Sequence, residues 1–162
     1  MGSLSDGYES MTNRQDLEVT NNNFKHIYKE KVRWGDCDML GHVNNVLYLR
    51  YSESARIDYV QQITKVYMTP ETKKGWILAD IQCSFRKQVR YPNNLEITSG
   101  FVKIGNSSAV FDNAIYIENE AEPAFTSRAV VVWFDFELQS SNRIPDEIRE
   151  RIRSQDPNCE GL

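Results

Sequence analysis

From residue 44 to residue 62 the chain carries neither glycine nor proline, and its apolar side chains recur at helical spacing. One long helix is therefore the element around which everything else must be arranged. Val46, Leu49, Glu53, Ile57 and Val60 form one stripe, with Tyr48, Ser52, Ala55 and Tyr59 beside it. The apolar arc is wide and includes the small residues Ser52 and Ala55, the pattern expected where a curved sheet wraps closely around a central helix of about five turns.

Ahead of the helix, Tyr28, Val32 and Trp34 alternate with Lys29, Lys31 and Arg33, the period of a half-buried strand. Four more strand-like runs follow it, over 77–89, 95–104, 108–119 and 124–136, and the short turn-forming links between them predict antiparallel hairpins. Pro145, with Ile148 and Ile152 four apart and Glu147 facing Arg151, predicts a short amphipathic helix near the C-terminus. The expected fold class is α+β, a five-stranded antiparallel sheet with one long helix on its face.

A chain of 162 residues, 40% of them apolar, suits one such domain. Residues 1–23 are mostly Ser, Asp, Glu, Asn, Thr and Gln, too polar to offset their ordering entropy, so a disordered polar tail is expected there. The folded domain should cover 24–140, and a short helix and tail 141–162. A net charge of −4 leaves no global basic field for nucleic acid or an anionic membrane, so neither is an expected partner. No run approaches the roughly 18 apolar residues of a membrane span, and because the first residues lack the apolar stretch of a secretory signal and the arginine-rich, acid-poor composition of a transit peptide, neither is expected. Cys37, Cys83 and Cys159 are odd in number and lack zinc-ligand spacing, which argues for a reducing, cytoplasmic setting without disulfide or metal.

The segment 32–51 carries the chemistry. Asp36 and Asp38 stand one residue apart in a loop that leads into the N-terminus of the long helix. Helix N-termini expose unpaired N–H groups that can hold a developing oxyanion, and an ionised carboxylate can attack an activated carbonyl or take a proton from water. Together they suit an electrophile with a good leaving group, such as a thioester. Asp36 also has the character of a turn brace, His42 of a hydrogen-bonded structural histidine, and Tyr48 and Tyr51 of packing residues whose hydroxyls reach inward. Cys37 lies between the acids and looks nucleophilic, but no histidine besides His42 is nearby in the sequence.

The run Arg33-Trp34-Gly35-Asp36-Cys37-Asp38, then Gly41-His42-Val43-Asn44-Asn45, then Tyr48, Tyr51, Glu53 and Ala55-Arg56 resembles the signature of hotdog-fold acyl-CoA thioesterases of the 4-hydroxybenzoyl-CoA thioesterase type. The resemblance extends over about residues 24–136. It implies a hotdog fold, hydrolysis of an acyl-CoA thioester to free acid and coenzyme A, and no cofactor beyond the coenzyme A of the substrate. It also implies that Asp38 is the nucleophile or general base and that the backbone N–H near Asn45 polarises the carbonyl. Asp36, Gly41, His42 and Asn44 would support the loop, and Glu53 is a weaker candidate for a second acid or base. Arg86, Lys87, Arg90 and Arg128 are the candidate cations for the coenzyme phosphates, with the 105–108 turn nearby. A homodimer or tetramer is implied, with sites at the subunit boundary. The alternatives are a thioesterase for acyl carrier protein and a hotdog protein that binds acyl thioesters without turnover. A hotdog dehydratase would want a histidine base, and His26 and His42 are the only histidines.

Overall fold

The computed structural model describes residues 24–162, so the tail expected over 1–23 lies outside the described residues. The elements are β1 (His26–Lys31), α1 (Asn45–Tyr59), β2 (Lys74–Phe85), β3 (Asn94–Ile104), β4 (Ser108–Ile117), β5 (Phe125–Asp135), the two-residue β6 (Ser140–Ser141) and α2 (Asp146–Gln155). The sheet is antiparallel throughout, in the order β1-β3-β4-β5-β2, with β6 pairing to the end of β5. A curled antiparallel sheet around one long helix is the hotdog architecture that the motif implies.

Helix α1 begins at the predicted place because Asn44 caps it, its Oδ1 accepting from Val46 N at 3.1 Å. It continues into one wider turn over Val60–Thr64 and stops where Lys65 takes the left-handed conformation, φ 58°. The buried face is Tyr48, Tyr51, Ser52, Ala55 and Tyr59. The neighbouring stripe of Val46 and Ile57 points outward in the single chain, 62% and 48% exposed. Of the wide arc expected from the sequence, the part rich in small and aromatic residues goes to the sheet, because Ser52 and Ala55 let the strands approach.

Two further expectations are corrected. Trp34 does not continue the first strand: β1 ends at Lys31, a tight turn occupies Trp34–Asp36, and the indole is 82% exposed. Nor do β2 and β3 form a hairpin, although β3–β4 and β4–β5 do. After Phe85 the chain leaves the sheet, with Arg86 N and Lys87 N both donating to Ala124 O at 2.8 and 3.0 Å, and crosses beneath the N-terminus of α1 to start β3 beside β1. Buried Val89 anchors that crossing.

The core falls into two connected parts. One gathers Tyr48, Tyr51 and Ala55 against Leu95, Ile97, Ile115 and Phe125; the other gathers Tyr59 against Phe101, Phe111 and Trp133, closed by Ile148 and Ile152 of α2. Each fully buried Ile or Phe contributes about 1.5–3 kcal/mol, so α2 is an integral part of the fold. Beyond α2 the chain supplies a partner for the part of β3 that β1 does not reach. Glu160 N donates to Val102 O at 3.0 Å and Ile104 N to Glu160 O at 2.8 Å. Asp156 Oδ2 accepts from Phe101 N at 2.8 Å and from the Tyr59 hydroxyl at 2.6 Å. A sheet edge that would otherwise be open is thereby paired.

Candidate active site

The loop between β1 and α1 is built from its own hydrogen bonds. Asp36 is buried, and its Oδ2 accepts from Arg33 N at 2.8 Å and from the Tyr51 hydroxyl at 2.6 Å. Its backbone carbonyl receives Asn44 N at 2.9 Å, which sets the capping residue in place. Beyond it, Cys37 and Val43 bridge as a miniature antiparallel pair, Asp38 N donates to His42 O at 2.9 Å, and Gly41 N donates to Asp38 O at 3.0 Å. Gly41 has φ +75°, a conformation that favours glycine at this turn. Asp38 Oδ1 accepts from Leu40 N at 2.8 Å, so the exposed carboxylate is held by the turn it stands on.

Asn45 is the first residue of α1, where helix geometry leaves its N–H without an intrahelical acceptor. Asp38, His42, Asn45, Tyr48, Arg86 and Lys87 are among the residues around one depression of about 430 Å³. The early departure of the chain from β2 brings Arg86 and Lys87 there. Val43 N donates to Val89 O at 2.8 Å, and Val89 N donates to the Tyr48 hydroxyl at 3.1 Å, stitching the crossing segment to the loop and to α1. Burial pushes the Tyr48 pKa above the ordinary tyrosine value, and burial beside the Asp36 carboxylate does the same for Tyr51. Both hydroxyls therefore stay protonated and serve as hydrogen-bond braces.

The remaining candidates stand elsewhere. Arg86 Nε donates to Thr126 Oγ1 at 3.3 Å, and Lys87 pairs with Glu120 at 2.9 Å, so both cations lean on neighbours at the rim. Arg90 is exposed and does not line the depression. Arg128 is engaged through two hydrogen bonds, 2.9 and 2.7 Å, to fully buried Asp112, and borders a different cavity with Lys103, Asp156 and Cys159. Glu53 pairs with Arg50 at 2.7 Å and lines a third pocket with Arg56 and Trp76. The 105–108 turn is fastened by the C-terminal segment, with Ile144 N donating to Asn106 O at 2.9 Å and Arg149 to the same carbonyl at 3.1 Å. His42 Nε2 is buried without a hydrogen-bond partner among the described residues.

Sequence reasoning overlooked Phe85 and Gln88, which border the depression beside Arg86 and Lys87. Their only sequence signal is adjacency to those cations at a strand end. Among the described residues no group of three or more His, Cys, Asp or Glu is placed to hold a metal ion.

Set against known proteins, residues 32–152 match the model of the thioesterase-like superfamily. The uncharacterised protein YsmA of Bacillus subtilis is 31% identical over 80% of this chain and 86% of its own length. The long-chain acyl-CoA thioesterase FadM of Escherichia coli is 25% identical over 75% and 92%. Among solved structures, a Thermus thermophilus thioesterase complexed with coenzyme A and Zn superposes with a TM-score of 0.70 at 28% identity, over 83% of this chain and 96% of that one.

Proposed function

The chain belongs to the thioesterase-like superfamily, a family of thioester hydrolases, and on that premise we propose that it hydrolyses an acyl-CoA ester to the free carboxylic acid and coenzyme A at the Asp38 depression. The observation that carries this reading is that Asp38 and the first N–H of α1 border one depression together with Arg86 and Lys87. The thioester carbonyl would accept from Asn45 N–H, which favours the oxyanion as it forms. Asp38 then acts in one of two balanced ways. Its carboxylate attacks the carbonyl carbon, expelling the thiolate and leaving a mixed anhydride that water cleaves. In the other, it takes a proton from water whose oxygen attacks, and the departing thiolate is protonated to the free thiol.

This chemistry calls on no metal or redox cofactor. Arg86 and Lys87 supply local positive charge for the coenzyme phosphates in a chain whose net charge is −4. A second copy of the chain belongs to the proposal, because β2 is a twelve-residue edge strand with exposed Leu78 and Phe85, and the outward Ile57 of α1 lines one pocket with Leu78. Among the described residues no helix is long and apolar enough to cross a membrane, and the three free thiols accord with a reducing, cytoplasmic location.

The test is release of free thiol from a panel of acyl-CoA esters and from the same acyl groups on a carrier protein, with wild type and Asp38→Asn. Turnover of CoA esters that falls about 100-fold or more in Asp38→Asn supports the proposal. Turnover of carrier-bound esters alone, or none with any thioester, overturns it.

A further inference from the structure

Asp38 is a ridge between two depressions. The one already described is bordered by Arg86 and Lys87; the other, about 440 Å³, is lined by Trp34, Gly35, Cys37, Asp38, Gly41 and Tyr91. The two differ in chemistry. The second has no charged side chain other than Asp38 itself, and two of its walls are aromatic. Trp34 and Tyr91 are 82% and 50% exposed, an arrangement that leaves large apolar faces in water. A Cβ added at Gly35 or Gly41 would meet no atom within 4 Å, so the space beside both glycines is open.

We propose that the cleft between Trp34 and Tyr91 receives the acyl group of the substrate and selects flat, aromatic acyl groups. The proposal rests on the thioesterase reading above. A thioester has two arms that diverge from the carbonyl. The coenzyme arm ends in phosphates and goes to the depression that holds the cations, which leaves the aromatic cleft, joined to it at Asp38, for the acyl arm. A flexible alkyl chain in so open a cleft would keep much of its surface wet. A flat ring loses little conformational entropy and can stack or meet edge-on with Trp34 and Tyr91.

The experiment uses the full-length protein and two variants, Trp34→Ala, which removes a wall, and Gly35→Val, which fills the open floor. KM and kcat are measured for benzoyl-CoA, phenylacetyl-CoA and acetyl-CoA. Both variants should raise KM for the two aryl esters roughly tenfold while changing acetyl-CoA about twofold or less. In parallel, a non-hydrolysable aryl thioether of coenzyme A should quench Trp34 fluorescence in wild type and not in Trp34→Phe, in which Trp76 and Trp133 remain. Equal effects on aryl and acetyl esters overturn the proposal, as does a change of oligomeric state in Trp34→Ala, which would mean that a second copy covers the indole. If no acyl-CoA is hydrolysed while the aryl thioether still quenches Trp34, the thioesterase reading fails and the aryl site stands.

Discussion

The Tyr51 hydroxyl donates to Asp36 Oδ2 across 2.6 Å, inside the protein, and this bond separates the two acids of the Asp-x-Asp pair into different tasks. Asp36 also takes Arg33 N and is buried; Asp38 is exposed, its Oδ1 accepting from Leu40 N of its own turn. One carboxylate is committed to holding the loop, and the other faces water.

Asp36→Ala strands the buried Tyr51 hydroxyl and the half-buried Arg33 N–H, so it should cost about 3 kcal/mol of stability, measured by denaturant unfolding. Asp38→Asn keeps an oxygen for Leu40 N and should unfold like wild type while turnover falls about 100-fold. Cys37→Ala should retain turnover; a folded but inactive Cys37→Ala would move the nucleophile to the thiol.

The cations should separate by position. Neutralising Arg86 and Lys87 together should raise KM for acyl-CoA with little change in kcat, since phosphate contacts hold substrate and transition state alike. Hydrolysis of short pantetheine thioesters, which lack the nucleotide phosphates, should be unaffected. Arg128→Gln should act on stability instead, costing about 3 kcal/mol by leaving Asp112 buried and unpaired, with KM unchanged. A rise in KM from Arg128→Gln alone would transfer the phosphate site to the other cavity.

Burial raises the Asp156 pKa above the ordinary carboxylate value, outweighing the hydrogen bonds from Tyr59 and Phe101 N. A raised folded pKa means that the native state binds the proton more tightly than the unfolded chain. This group's contribution to stability is therefore greatest below its unfolded pKa, and it declines as pH rises through the interval up to the folded value. Both donors reach the same Oδ2, so Asp156→Asn can keep both bonds and remove the charge. Thermal unfolding between pH 4 and 8 should find Asp156→Asn at least as stable as wild type at neutral pH, with a flatter dependence on pH. A neutral-pH loss of stability would show that the charge itself holds Phe101 N and Tyr59.

At the far end of the same strap, Gly161 has φ +83°, and a Cβ there would lie 2.2 Å from Ile104 O. Gly161→Ala should unseat the end of the strap, lower the melting temperature by a few degrees, in keeping with about 1 kcal/mol or more, and increase aggregation on heating as the edge of β3 opens. Light scattering during a thermal ramp measures both.

Signals read over a few residues were legible in the chain itself: the long helix with its start at Asn44, the turns that bound β3, β4 and β5, the short helix after Pro145, and the Asp38 loop set before a helix N-terminus. Each rests on local backbone preference or on periodicity, which one segment can display alone. The arc read from the sequence was wider than the face that is buried: the distance at which the sheet closes takes the side with Ser52 and Ala55 and leaves Val46 and Ile57 outside. The same holds for the strand order. Sequence proximity favours pairing β2 with β3, whereas the structure seats β1 against β3 and leaves β2 at the edge, a decision made by long-range packing around α1. From that decision follow the features of the site that no local pattern reveals. Arg86 and Lys87 swing to Asp38 because the chain must cross beneath α1, Arg128 is claimed by Asp112 on the adjoining strand, and Trp34, released from β1 by the turn that buries Asp36, stands in the open beside Tyr91.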